Sequence, residues 1–318
     1  MIYITGDCHA DFTRFNTKIF PEQYEMTKDD YVIICGDFGG VWNRFEENKH
    51  EKHWMDWLED RPFTTLFCEG NHENFDRLYS YPVEKWNGGN VHKIRPSVIH
   101  QMRGQIFQLC DRKFFVFGGA KSHDTEGGIL DPEAPDFKKK KKELDKEWLP
   151  YRVNHISWWK EEMASKEEME EGLRNLSQYN NEVDFIISHC CATSTQKQFV
   201  DKTFSADSMT DYLELVKQRV NFKKWFFGHY HVDKAINEKD FCVFRKIVAN
   251  WKLSDCCISI TCRVLETLLF QLLLFFFVFL NINSLNLEDN GACTVIVAGK
   301  AAKKHSGNLT HPIQKDVL

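Results

Sequence analysis

The stretch MIYITGDCHAD, residues 1–11, sets the reading of the rest of the chain. A short apolar run, Met1–Thr5, stops at Gly6-Asp7, and His9 follows two residues later. The arrangement recurs. Tyr31–Cys35 ends in Gly36-Asp37, and Thr64–Cys68 leads into Gly70-Asn71-His72-Glu73. Farther along, Val183–Ser188 is followed by His189, and Phe222–Phe227 by Gly228-His229-Tyr230-His231. Short continuous apolar runs bounded by glycine read as buried strands. Between the second and third runs lies Glu46–Asp60, with Trp54, Trp57 and Leu58 at helical spacing. This strand–helix–strand rhythm predicts an α/β layered fold.

The intervening segments extend that pattern. Val91–Gly118 holds four closely spaced apolar pieces and reads as a meander that extends or faces the first sheet. Asp136–Glu147, with its run Lys138–Lys142, reads as a solvated helix face or loop, the alternative being a phosphate-steering patch. His155–Tyr179 carries Ile156, Trp159, Met163, Met169, Leu173 and Leu176 and predicts one long or broken amphipathic helix. Asp207–Val220 predicts a helix with Met209, Tyr212, Leu213 and Val216 on one side.

Composition narrows the class. The 318 residues are 42% hydrophobic and 27% charged, as in an ordinary folded protein. A net charge of -5 supplies no global basic field, so nucleic acid is not favoured as a partner, although a local patch remains open. The 11 cysteines do not form a disulfide pattern: Cys35 and Cys68 sit inside apolar runs, where a thiol behaves as a small hydrophobe. The polar turn after Thr5 is unlike a secretory leader. A reducing cytoplasm is the expected location.

The strand ends carry the chemistry. In α/β folds, ligands collect at the carboxyl ends of strands. Five such ends would gather Asp7, His9, Asp37, Asn71, His189, His229 and His231. Imidazole with carboxylate suits borderline divalent ions, whereas thiolates would favour zinc or iron–sulfur sites. Alternate positions on an extended segment face one side, so Asp7/His9 and His229/His231 each point at one cluster. Seven ligands exceed one tetrahedral ion. They fit two ions about 3.5–4 Å apart, bridged by a carboxylate and a water.

The series GDCHAD, GDFGG, GNHE, SHC and GHYH, spanning Met1 to about Val248, resembles the five-block signature of the calcineurin-like metallophosphoesterases. The resemblance implies a four-layer αββα sandwich with two mixed sheets flanked by helices. It implies two divalent ions, manganese first, with iron, zinc, nickel or cobalt as alternatives. Asp7, His9 and His231 would bind the first ion and Asp37 would bridge. Asn71, His189 and His229 would complete the second site. His72 matches the residue that protonates the leaving oxygen. Glu73 stands where the family usually has Asp and would orient His72. A bridging hydroxide would attack phosphorus in a phosphomonoester or phosphodiester. Asn71 would also touch substrate phosphate.

The match departs from the family at a few positions. Ala10 replaces a common Gly, and Cys8 fills a spacer expected to point into packing. Gly40 stands where the family commonly has Asp, and the Arg of phosphoprotein phosphatases is missing after it. That argues against a Ser/Thr phosphoprotein phosphatase. Trp42, Asn43 and Tyr230 flank ligand blocks, and His123 follows a glycine pair. These four are candidate substrate contacts, with ordinary packing or a turn as the alternative. His50, His53, His92, His100 and His155 have no such context and read as surface or packing residues. A silent scaffold on the same fold, or a nuclease, are the rival functions.

The expected domains are a catalytic domain, 1–250, and a tail, 251–318. Residues 264–280 (VLETLLFQLLLFFFVFL) are about the minimum length that spans a bilayer. The segment reads as a membrane anchor, a buried apolar element or an unselected extension. The oligomeric state has no signal in the sequence.

Overall fold

Side chains along the first strand alternate, with Ile2 and Ile4 on one face and Tyr3 on the other, and that alternation builds the core. The structure, a computed structural model, describes residues 1–200 and 204–249. They belong to the first of two compact units, Met1–Cys256. The expected tail, 251–318, with its apolar segment 264–280, lies outside the described residues. Among the described residues no helix is long and apolar enough to cross a membrane.

In chain order the first half comprises β1 (Ile2–Thr5), β2 (Tyr31–Ile34), α1 (Lys49–Glu59), β3 (Thr64–Phe67), α2 (Phe75–Leu78), β4 (Val83–Trp86), β5 (Gly89–Arg95) and β6 (Val98–Gln101). Then come β7 (Gln105–Leu109), β8 (Arg112–Phe117), β9 (Ile129–Leu130), α3 (Phe137–Glu147), β10 (Arg152–Val153) and α4 (Lys166–Gln178). The last elements are β11 (Phe185–Ser188), α5 (Thr193–Gln196), α6 (Ser208–Arg219), β12 (Lys224–Phe227), β13 (Lys234–Ala235), β14 (Asp240–Cys242) and β15 (Val248–Ala249).

Two mixed sheets form. The first runs β15-β1-β2-β3-β6-β5-β4 and the second β13-β14-β12-β11-β8-β7. Strands β1, β2, β3 and β6 are parallel, as are β8, β11, β12 and β14, with antiparallel strands at the edges. The inner faces meet: Ile2, Ile4, Ile33 and Leu66 pack with Phe114, Val116, Ile187 and Phe226. On the far side of the first sheet, Tyr3, Val32, Ile34 and Phe67 pack under Met55 and Leu58 of α1. On the far side of the second, Phe115, Ile186 and Trp225 pack under Leu176 of α4 and Leu213 and Val216 of α6. This is the expected αββα order. Each buried Phe contributes about 1.5–3 kcal/mol by leaving water, and three apolar layers supply many.

Several boundaries follow from capping. The helix read over Glu46–Asp60 starts at Lys49 because the Asn48 side chain accepts from the backbone N–H of His50 and Glu51, both at 2.9 Å. The long or broken helix expected over His155–Tyr179 is a broken one: a 3-10 turn, Lys160–Glu162, precedes the helix Lys166–Gln178, which Ser165 caps. Trp159 instead inserts into packing beside Trp42, 5.8 Å between rings. The meander both extends and faces the first sheet: β5 and β6 join it, whereas β7 and β8 cross to the second. The lysine run falls on α3, which buries no side chain. The described cysteines are free, and all but Cys110 are buried.

Candidate metal centre

Because β1, β2 and β3 are parallel and in register, Thr5, Ile34 and Phe67 stop level with one another. Ser188 and Phe227 likewise pair at the ends of β11 and β12. The residues after each strand therefore collect at one edge of both sheets. All seven expected ligands are there. The Nε2 of His231 lies 3.1 Å from Asp7 Oδ2 and 3.1 Å from His9 Nε2. Asp7, His9, Asp37 and His231 each offer an atom within 4.8 Å of the others. Asp37 presents its two oxygens in different directions: Oδ2 is 3.6 Å from His9 Nε2, and Oδ1 is 3.3 Å from His189 Nε2. Asn71 Oδ1 stands 3.2 Å from the same His189 nitrogen, and the His229 ring is 5.0 Å from the His189 ring.

Second contacts aim these groups. His189 Nδ1 donates to the Cys35 carbonyl at 2.8 Å, which turns Nε2 toward Asp37 and Asn71. The Asn71 amide nitrogen donates to Ser122 Oγ at 3.4 Å, and Ser122 Oγ in turn donates to Glu162 at 2.6 Å, so the Asn71 oxygen is left facing the cluster. The backbone N–H of His229 donates to Asp7 at 3.0 Å, and that of His72 to Asp37 at 2.8 Å. The donor set is carboxylate, imidazole and one carboxamide oxygen, with the Cys8 thiol turned away toward the Gly6 carbonyl at 3.7 Å. Such a set fits divalent ions of the manganese-to-zinc series.

The backbone explains how so many ligands converge. His9, Asp37, His229 and His231 all have left-handed φ, between 46° and 69°. Non-glycine residues rarely adopt it, and such strain concentrates at functional sites. The paired ligands thus meet through tight turns rather than by alternation along an extended strand, the geometry expected from the sequence. The flanking glycines allow the close approach. A Cβ at Gly70 would collide with Asp37 Oδ1 and lie 2.8 Å from its Cγ. One at Gly228 would collide with Asp7 Oδ1 and lie 2.6 Å from the Cys35 carbonyl oxygen.

Electrostatics follow from burial. Burial opposes the Asp37 charge, but His189, His72 and His9 hold its carboxyl far below the usual range. Burial likewise opposes an imidazolium at His189, yet Asp37 raises it to about 9. Burial lowers His9, His72 and His229.

His72 and Glu73 separate in role. The Glu73 carboxylate, fully buried, accepts from the backbone N–H of Phe38 at 2.7 Å and of Gly39 at 3.3 Å. Burial and the nearby Asp37 push it up to about 8. It therefore ties down the loop that carries Asp37, and the expected contact with the His72 ring is replaced by these backbone bonds. The ring instead meets Arg152, whose Nη2 donates to His72 Nε2 at 3.2 Å. Asp124 holds the guanidinium by two bonds, at 2.8 and 2.6 Å. Sequence reading missed Arg152 and Glu162, which lie in an unremarkable stretch.

The candidate substrate contacts line two cavities. One, of about 270 Å³, is walled by His9, Trp42, Asn43, His50 and His72. The other, of about 150 Å³, is walled by Lys121, His123, Phe204, His229 and Tyr230. Phe204 was not anticipated. His92 and His100, expected as surface or packing residues, are buried, and His100 bonds Glu69 at 3.0 Å.

Fold and donor set together define an α/β sandwich with a candidate divalent-metal site at its strand ends. The chain belongs to the calcineurin-like phosphoesterases, whose family model matches residues 1–233. It is 24% identical over 251 residues to lariat debranching enzyme A of Xenopus laevis, covering 74% of this chain and 43% of that one. The chain thus spans less than half the length of the curated relative it matches. Among solved structures it is similar to a phosphopantetheinyl hydrolase from Mycobacterium tuberculosis, with TM-score 0.38, 12% identity, and coverage of 76% of this chain and 87% of that one. It is also similar to a putative 5'-nucleotidase from Staphylococcus aureus, with TM-score 0.38, 13% identity, and coverage of 80% and 51%.

Proposed function

We propose that the chain hydrolyses phosphoester bonds with two divalent ions, manganese first, one held by Asp7, His9 and His231 and the other by Asn71, His189 and His229, with Asp37 shared. The observation that carries this is the placement of Asp37, with one oxygen 3.6 Å from His9 and the other 3.3 Å from His189. Divalent ions at such a site supply positive charge to a phosphoryl group and make water more acidic. The chain's own residues do the rest. Buried Asp7 and Asp37 face the centre without competing solvent. His72 protonates the departing oxygen, because an alkoxide is a poor leaving group at neutral pH. Arg152 can only donate, so His72 Nε2 accepts from it and the proton His72 gives up is the one on Nδ1.

The test is metal analysis together with hydrolysis of p-nitrophenyl phosphate and bis(p-nitrophenyl) phosphate by the full chain. The expected result is two ions per chain and metal-dependent turnover. On an alkyl phosphoester, whose leaving oxygen needs a proton, His72→Ala should keep its metal and lose about 10²–10⁴-fold in turnover. Unchanged turnover in metal-loaded His72→Ala protein would remove His72 from its role. Metal-loaded wild type that is silent on every ester would favour the scaffold reading. The nuclease reading draws on the likeness to a lariat debranching enzyme and on the exposed lysines of α3. Cleavage of RNA or DNA with Mn²⁺ tests it.

A further inference from the structure

Two separate cavities adjoin the candidate metal centre, one at His9 and the other at His229. The larger, about 270 Å³, is walled by His9, which faces Asp37 Oδ2, and by His72, whose backbone N–H bonds Asp37 Oδ1. The smaller, about 150 Å³, includes His229, which neighbours His189 on the Oδ1 side. Both have aromatic walls. Trp42 lies 6.3 Å from the His72 ring in the first. In the second, Phe204 packs 4.8 Å from His123 and 4.9 Å from Tyr230. A cavity of about 150 Å³ holds one six-membered aromatic ring.

A phosphoryl group centred over Asp37 has room for an organic group on each side. A monoester has one such group and would leave the other cavity to water. We infer that the substrate is a phosphodiester whose two organic groups, each with a flat ring, occupy the two cavities. This rests on the phosphoester-hydrolase reading and deepens it. Because His72 lies in the wall beside Trp42, the group seated there is the one that leaves. The P–O bond to that group breaks, its oxygen takes the proton from His72, and water supplies the new P–O bond. The group beside Phe204 stays on the product monoester. Diester and water thus give alcohol and monoester.

The experiment has a kinetic and a binding arm, both on the full metal-loaded chain. With bis(p-nitrophenyl) phosphate, one p-nitrophenol should be released per ester, and p-nitrophenyl phosphate should accumulate. Phe204→Ala and Trp42→Ala should each lower kcat/KM for the diester by about tenfold, the value of one buried ring face. For binding, calorimetry on the His72→Ala protein compares diphenyl phosphate with methyl phenyl phosphate, two diesters of equal charge. Diphenyl phosphate should bind about tenfold tighter, and adding Phe204→Ala should erase that ratio. Monoester turnover equal to or above diester turnover overturns the inference while sparing the hydrolase reading. So does equal binding of the two probes. No metal-dependent turnover of either ester overturns the hydrolase reading itself.

Discussion

Arg152 reaches across from β10 to place its Nη2 3.2 Å from the Nε2 of His72, and Asp124 accepts from Nε at 2.8 Å and from the same Nη2 at 2.6 Å. This ion pair, rather than Glu73, sets the orientation of the ring. On the role proposed for His72, Arg152 is a positioning residue for proton delivery.

Loss of Arg152 should therefore fall on esters whose leaving group needs a proton. Arg152→Ala should reduce turnover of an alkyl phosphoester by about 10–100-fold, the usual effect of removing a residue that orients an active group. The p-nitrophenyl ester, whose leaving group departs without help, should lose much less. Arg152→Lys should not restore the rate, since a single ammonium cannot hold Asp124 by two bonds and reach His72. Equal losses on both esters would point to substrate binding instead.

Gly228 faces Asp7 at a distance that admits no side chain. Gly228→Ala should displace Asp7 or the β12 turn, because the new Cβ would lie 2.6 Å from the Cys35 carbonyl oxygen as well as against the carboxylate. The expected result is loss of bound metal with the overall fold retained, read by elemental analysis beside circular dichroism. Full metal content in the variant would show that the turn gives way at little cost.

Chelation should destabilise the protein. Asp7 and Asp37 are each 1% exposed, and their charge must be answered inside the fold. A bound ion present at about 100 times its Kd adds about 2.7 kcal/mol. The Tm should fall on treatment with EDTA and recover with added Mn²⁺. A Tm indifferent to both would argue against a resident ion.

Away from the centre, Glu69 and Arg103 form a fully buried ion pair that His100 also joins. Arg103→Leu should cost about 3–5 kcal/mol in urea unfolding, because it leaves a buried carboxylate without its partner. The pH sign follows from Glu69. Burial opposes its charge, but Arg103 and His100 hold its carboxyl well below the ordinary 4.5. Its contribution is therefore complete above pH 4.5 and fades as pH falls below that value. The gap between wild type and variant should shrink in acid.

The linear order of residues was enough for the five strands, their shared direction and the ligands beyond each end, because a buried parallel strand shows as an unbroken apolar run. Chemistry at strand ends is likewise local: an Asp, Asn or His after Gly can be seen one block at a time. The backbone turns that bring those blocks together were not legible. Left-handed φ at His9, Asp37, His229 and His231 is imposed by the surrounding packing, since none of these residue types requires it. The role of Glu73 could not be read either, because its partners are the backbone N–H groups of Phe38 and Gly39, which every sequence has. Arg152 lies 80 positions from His72, and Phe204 lies 25 from His229. Only the tertiary structure joins such pairs, because a contact between distant segments depends on where loops close over the sheets. The sequence by itself determined which groups can bind metal. Folding decided which of them face each other, what holds them and which walls a substrate would meet.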